Sequence, residues 1–472
     1  MPAVRGWQRR GPGAALLAAV TCTLVACEAS EPVAPGRAPE IITAVLEYDP
    51  AHVLAAALRV RVRFGDSVAI LYDHHGSVLD GQTPAVRAGG DSAVVPLLGL
   101  MPESRYTLRT VAWGQGRMTL GPDLVLDTDP LPSDLPHYTA GGVDPSPGYV
   151  VFAAGMYGLV IDNTGRVVWY HKFANGPGLN FQAQPTGRYV ARPGSSPADG
   201  SVSWVEIDPL GAVTRTLGCD RGLVPRFHDL IAEPDGSYWA MCDEVRRMDL
   251  SAVGGRSDAA VTGTTVQHLG PAGLLFEWSP FDHFDITDLD PADRSGPSVN
   301  WTHGNAIDLD GDGNLLVSFR NLNEITKINT RNGAVLWRMG GRGNQFAFEN
   351  SAEPAFLRQH GLRVSGLGSL VLLDNLGEPA GSRAERFEYD EVRKTVRLAG
   401  VYVASPSVIA QQGGTTQELP GGRTLVAYGN GGRVEEYDAA GNVMWRIHGN
   451  PGYVFRAQRI RSLYHPGVGL TR

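Results

Sequence analysis

The chain of 472 residues carries 41 basic and 49 acidic residues, a formal net charge of -8 and a pI near 5.9. No basic face results from that balance, which excludes nucleic acid as a partner. With 43% hydrophobic residues and with 59 Gly and 32 Pro spread along its length, the chain is neither disordered nor fibrous; it reads as short strands joined by turns, an all-β protein.

Residues 1–26 have the layout of a lipoprotein signal peptide. Arg5, Arg9 and Arg10 precede a short apolar run from Ala14 to Ala26, which ends in Leu24-Val25-Ala26-Cys27 and resembles the bacterial lipobox. Cys27 is the expected lipidation site. The mature protein is then extracytoplasmic and lipid-anchored to a bacterial membrane, on the periplasmic side or at the cell surface. Residues 27–38, rich in Pro and Ala, read as its tether. Cleavage removes Cys22, so with Cys27 acylated the remaining thiols are Cys219 and Cys242, and an oxidising compartment favours a disulfide between them.

Residues 39–129 alternate apolar and polar positions in segments such as LRVRVRF and SVAILYD, at a length suited to a seven-stranded sandwich. Within them GLMPESRYTLRTVAW resembles the fibronectin type III signature, with Tyr106 placed for a tyrosine corner, which predicts a small immunoglobulin-like β-sandwich. His74 and His75 fall in a turn and read as exposed loop residues. Residues 130–148 read as a linker.

From 149 to 472 the sequence repeats. LVIDNTGRVVWYH, WVEIDPLGAVTRTL, ITKINTRNGAVLWRMGG, ERFEYDEVRKTVRLAG and VEEYDAAGNVMWRIHGN are strand-turn-strand units, several with Trp on the second strand. They alternate with LNFQAQPTGRYVA, HDLIAEPDGSYWA, HGNAIDLDGDGNLLV, HGLRVSGLGSLVL and GTTQELPGGRTLV. VRRMDLSAVGG, with LLFEWSP after an insertion, supplies a sixth unit of the first kind; two hairpins make one four-stranded blade, and about six units over about 320 residues predict a six-bladed β-propeller. An insertion over 253–300 reads as a loop over one face.

Aligning the second set on Gly187, Gly236, Gly311, Gly368 and Gly422 puts His228, His303 and His360 eight residues before the turn in three blades. First strands line a propeller's channel, so the three imidazoles should converge on the axis. Three histidines there could ligate a catalytic metal. Arg320, returning from the DGDG turn, and Arg226 and Arg358, each two residues before a channel histidine, suit an anion instead. Asp308, Asp310 and Asp312 have the spacing of a calcium loop, but Phe319 stands where that loop needs a bidentate Glu, so an Asp-Gly hairpin is the better reading.

WTHGNAIDLDGDGNLLVSFRNLNEITKINTRNGAVLWRMGG, FLRQHGLRVSGLGSLVLLDN, PRFHDLIAEPDGSYWA and the closing FRAQRIRSLY resemble the bacterial arylsulfate sulfotransferase family. The resemblance implies an enzyme that moves a sulfuryl group from a phenolic sulfate ester to a phenolic acceptor by a ping-pong route. It implies His360 as the transiently sulfated nucleophile, and His303, His228 and Arg320 as catalytic residues that bind the sulfate oxygens and handle the phenol proton. Asn305, Arg358 and Arg226 are the expected substrate-binding residues. No metal and no cofactor are implied. Lys172, Lys327 and Lys394 follow no Gly, so no Walker-type loop exists for a nucleotide sulfate donor. The partners are then small phenolic donors and acceptors, the membrane through Cys27, and, as a candidate, a second copy in a homodimer. Two other classes stay open at this point: a non-catalytic surface binding module, and a metal-dependent hydrolase or lyase with the three histidines as ligands.

Overall fold

The computed structural model describes residues 36–73, 81–194, 203–350, 355–376 and 381–467. Cys27 with its leader and His74 with His75 lie outside the described residues. Apart from short 3-10 turns, the regular elements are β-strands.

Strand Ala55–Arg63 shows how the sequence builds the N-terminal part. Leu58, Val60 and Val62 are buried while Arg59, Arg61 and Arg63 face solvent, the period of two expected when one face meets a core. This strand joins Glu40–Tyr48 and Ser92–Leu98 in one sheet. A second sheet holds Ser67–Asp73, Arg105–Gly114 and Arg117–Asp127 with two short strands. Leu58, Val60 and Val95 from the first share a core with Val68, Ile70 and Leu108 from the second. Each such buried aliphatic side chain contributes about 1.5–3 kcal/mol. The Tyr106 hydroxyl accepts a hydrogen bond from the Met101 amide at 2.8 Å, at the corner expected for it.

The rest is a β-propeller whose sheets follow one another along the chain. Six antiparallel sheets have as innermost strands Ala457–Ile460, Phe181–Ala183, Val224–Ala232, Gly304–Leu309, His360–Gly366 and Thr415–Leu419. Neighbouring inner strands touch around an axis. Trp169, Trp278, Trp337 and Trp445, each on the fourth strand out from the axis, are fully buried between sheets. They are the repeated tryptophans of the sequence, and each fills the widening gap far from the axis.

Both ends of the propeller segment close the ring. Ala457–Ile460 pairs with Tyr149–Ala154 in the first sheet. Ala140–Gly141, from the segment read as linker, pairs with Val443–Ile447 and becomes the outer edge of the last sheet. The insertion differs from its expectation as a loop. Ala259–Gly270 and Gly273–Trp278 belong to the third sheet and Ser298–Asn300 pairs in parallel with the former. Leu289, Val299 and Trp301 are buried in its core, so apolar residues interspersed among the Asp and Pro anchor it.

Candidate active site

The inner strands of the third, fourth and fifth sheets bring His228, His303 and His360 together. The His228 ring centroid lies 4.9 Å from that of His303 and 6.4 Å from that of His360, and one nitrogen from each ring falls within 4.8 Å of the others. Convergence holds, but the spacing behind it does not. The left-handed turn glycine of the fourth sheet is Gly313 (φ 79), whose amide bonds to Asp310 as that of Gly236 bonds to Glu233; Gly311 is not left-handed. Counted from that turn, Asn305 is the equivalent of His228 and His360, and His303 stands two residues earlier. His303 precedes its strand with φ 47, and this kink lets it reach the axis. A non-glycine residue held there costs on the order of 1–3 kcal/mol, strain of a kind that gathers at functional sites.

Each imidazole is neutral at pH 7. Burial, then Arg320, holds the His360 pKa down to about 4 against the opposing hydrogen bonds of Asn375 and the Arg358 carbonyl. Burial and then Arg226 and Arg320 take His303 to about 2. Burial and Arg226 depress His228 well below the ordinary value. The hydrogen bonds then fix two tautomers. His360 Nδ1 lies 2.8 Å from Asn375 Oδ1 and 3.1 Å from the Arg358 carbonyl, both acceptors, so Nδ1 carries the hydrogen and Nε2 keeps its lone pair. Asn375 cannot turn its amide round, because its Nδ2 donates to the carbonyls of Ala410 at 2.6 Å and Gly413 at 2.9 Å. Asn300 Nδ2 donates to His303 Nδ1 at 2.7 Å, which leaves His303 with Nε2–H as a donor. The His228 Nδ1 is buried without a hydrogen-bond partner among the described residues.

The arginines differ from one another. Arg320 donates to Asn321 Oδ1 at 3.0 Å and to the Gln411 carbonyl at 3.3 Å, and forms no ion pair among the described residues. Its backbone amide bonds to the His303 carbonyl at 3.0 Å, so the hairpin sets it beside that histidine. Arg226 is 7% exposed, lies where the third sheet's register breaks, and is held by Asp243. Arg358 is not on a strand face as a regular strand would have it. With φ 54 it precedes the strand, turns its carbonyl to His360, and donates to Asn321 Oδ1 at 2.9 Å and Asp293 Oδ2 at 2.7 Å. Asn305 ties the fourth sheet to the fifth, its Nδ2 donating to the Gln359 carbonyl at 2.6 Å, with Oδ1 buried and unpartnered among the described residues.

Asn375, Asn300 and the aromatic walls escaped the sequence reading. A signal for Asn375 exists. Five residues past the pairs Ala232↔Tyr238, Leu309↔Leu315 and Val364↔Leu370 stand Asp243, Arg320 and Asn375, one per histidine-bearing sheet. Two of the three sheets without a channel histidine, the second and the sixth, have Gly194 and Gly429 there. Phe227 stacks on His228 with centroids 4.0 Å apart, and Phe455 stands edge-on to His228 at 5.8 Å and to His360 at 6.4 Å. An ion-paired floor lies behind them: Asp229 bonds to Arg363 at 2.9 Å and to Arg456 at 3.2 Å, beside a cavity of about 90 Å³ further along the axis.

The acidic turn is not built for calcium. Asp310, Asp312 and Glu391 are close enough together to hold an ion, but the Lys327 ammonium stands among them, at 2.7, 2.8 and 2.5 Å. Asp308 instead accepts the backbone amides of Leu309 and Val364. Lys327, one of the few lysines, thus has a structural task that composition did not suggest. Cys219 and Cys242 are joined in a disulfide with Cα atoms 6.2 Å apart.

The three imidazoles have the geometry of metal ligands, yet they sit in the field of Arg226, Arg320 and Arg358, which already disfavours a proton on each ring and would disfavour a dication more. A tetrahedral anion suits the same field.

Residues 224–450 match the family model described as arylsulfotransferase (ASST). No curated protein matches the chain. Among solved structures, the chain is similar to a protein of unknown function from Bacteroides caccae at 14% identity and a TM-score of 0.43, over 67% of this chain and 100% of that one. A streptogramin B lyase matches at 13% identity and a TM-score of 0.37, over 66% of this chain and 84% of its own. Virginiamycin B lyase from Staphylococcus aureus matches at 11% and 0.28, over 71% of this chain and 95% of its own.

Proposed function

We propose that the chain, whose residues 224–450 match the arylsulfotransferase family model, transfers a sulfuryl group between phenols without a nucleotide donor, through a sulfated His360. One observation carries this reading: His360 has its Nδ1 hydrogen committed to Asn375 and the Arg358 carbonyl, its Nε2 lone pair free, and the unpaired Arg320 guanidinium nearby.

The steps balance. The Nε2 lone pair of His360 attacks the sulfur of an aryl sulfate; the N–S bond forms as the S–O bond to the aryl group breaks, and the phenolate departs with that electron pair. Positive charge appears on the imidazole and is met by the two oxygens on Nδ1, so no proton need leave it. Arg320 and the Nε2–H of His303 stabilise the equatorial oxygens and the departing oxygen. In the second half an acceptor phenol gives its proton to neutral His228 while its oxygen attacks the sulfur; the S–O bond forms as the N–S bond breaks, the electron pair returns to His360 Nε2, and His228 releases the proton to solvent. Phe227 and Phe455 supply apolar walls for the aryl ring.

In the same reading the six sheets are six blades, the N-terminal sheets an immunoglobulin or fibronectin type III-like sandwich, and the protein is lipid-anchored through Cys27 outside the cytoplasm. The Cys219–Cys242 disulfide supports an oxidising compartment. Intact-mass measurement after incubation with 4-nitrophenyl sulfate tests the mechanism. A sulfuryl adduct is expected on the native protein and not on His360→Ala; no adduct, or the same adduct on both, would sink it. The runner-up, a metal-dependent hydrolase, draws on the ligand-like spacing of the imidazoles. Stoichiometric transition metal in the purified protein would favour it.

A further inference from the structure

Arg192, a cation in the electrostatic reach of Asp243 and Arg226, is left unused by the reaction above. The ladder of the second sheet, running through Phe181↔Ala191 and Ala191↔Val205, sets Asn180 and Trp204 directly opposite it on either side. Residues opposite one another in a sheet project to one face. Asn180 Nδ2 reaches the His228 carbonyl at 2.7 Å and Trp204 Nε1 reaches the Arg226 carbonyl at 2.9 Å, so Arg192 projects towards that same segment of the third sheet. There Arg226, 7% exposed, is held by Asp243. The Nε atoms of Arg192 and Arg226 are both buried with no hydrogen-bond partner among the described residues. The carboxylate near enough to influence Arg192 is Asp243, which Arg226 already engages.

Charge bookkeeping points the same way. Beneath the neutral histidines Arg363 and Arg456 face Asp229 and Asp308 and offset one another in charge; beside the histidines stand four more guanidiniums, Arg192, Arg226, Arg320 and Arg358, against two carboxylates, Asp243 and Asp293. A sulfate monoester brings one negative charge, which Arg320 meets. One positive charge is left over, on the Arg192 side. Buried guanidinium N–H groups without acceptors are costly unless a ligand supplies them.

We propose that Arg192 and Arg226 form a second anion subsite beside the histidines, which selects aryl substrates bearing an acidic substituent in addition to the reacting oxygen. The inference rests on the reading of the site as one for phenols and their sulfates, and its test does not depend on turnover. Isothermal titration of the purified protein with phenol and with 3-hydroxybenzoate compares ligands that differ by one carboxylate. Tighter binding of 3-hydroxybenzoate by about tenfold or more is expected, the size of one charge-assisted hydrogen bond. Arg192→Gln should bring the ratio near one, and Arg192→Lys should keep most of it. Equal affinity on the native protein, or a preference that survives Arg192→Gln, would overturn the subsite. A preference that depends on Arg192 in a protein that forms no sulfuryl adduct would leave the subsite standing and remove the proposed reaction.

Discussion

Replacing Arg320 by Met distinguishes an anion site from a metal site. The side chain's partners are neutral, Asn321 Oδ1 and the Gln411 carbonyl, and no carboxylate would be orphaned; its backbone bond to His303 is unaffected. Stability should therefore change by less than about 1 kcal/mol. The substrate loses much more. A hydrogen bond to a charged group contributes about 1.5–3 kcal/mol, and a donor aimed at developing charge about 100-fold to 1000-fold in turnover. For 4-nitrophenyl sulfate, kcat/KM should fall by about that factor, with KM taking no more than about tenfold of it. There is a second signature. Arg320 is one cause of the depressed His360 pKa, so its removal should move the acid limb of the rate profile upward from about 4. Release of 4-nitrophenol measured across pH gives both. A kcat/KM within about threefold of native, or an acid limb that moves down, would refute the reasoning; a metal site would instead gain ligand affinity on losing the cation.

Asn375→Ala leaves the His360 Nδ1 hydrogen with only the Arg358 carbonyl at 3.1 Å, so kcat should fall about 10- to 100-fold with little change in KM, read from steady-state rates with saturating acceptor. In the native protein the acid limb of kcat/KM should lie near 4, where His360 takes up a proton, and a limb near 6.5 would speak against a buried neutral nucleophile. Stability follows the same groups. Because the folded imidazoles titrate below their unfolded value, the unfolded chain binds protons first; stability should be full above about pH 6.5 and decline as the pH falls towards about 4, as urea midpoints would report. Lys327→Ala should cost about 3 kcal/mol, since it leaves the buried Asp310 carboxylate uncompensated, whereas Asp312 and Glu391 are partly solvated and limit the loss.

Much of this site could be read from sequence because it repeats. A propeller copies one local pattern around an axis, so residues far apart in the chain can be aligned by turn and strand alone, and His228 and His360 fall out of that alignment directly. His303 was found for a reason that was partly accidental. Its turn has two glycines, and counting from Gly311 instead of Gly313 hides that His303 stands two residues further from the turn than His228 and His360 do, before its strand and in a left-handed conformation. Asn375 and Asn300 act through hydrogen-bond direction, which no periodicity encodes. Arg226 and Arg358 looked alike in sequence, two residues before a histidine, yet one sits in a broken ladder against Asp243 and the other precedes its strand beside Asp293. The ordered insertion was misread because acidic and Gly-Pro composition marks turns without revealing the apolar residues between them that anchor it.

The closing strand has a consequence in time. Ala457–Ile460 completes the first sheet by pairing with Tyr149–Ala154, and the adjoining Arg456 bonds both to Asn180 and to the His228 carbonyl. A polypeptide emerging from the ribosome thus carries every histidine of the site long before it can hold them in place, and contacts of such long sequence separation form late. The geometry around His228 is therefore completed only once Ala457–Ile460 has paired, and a chain cut before Arg456 should lack it.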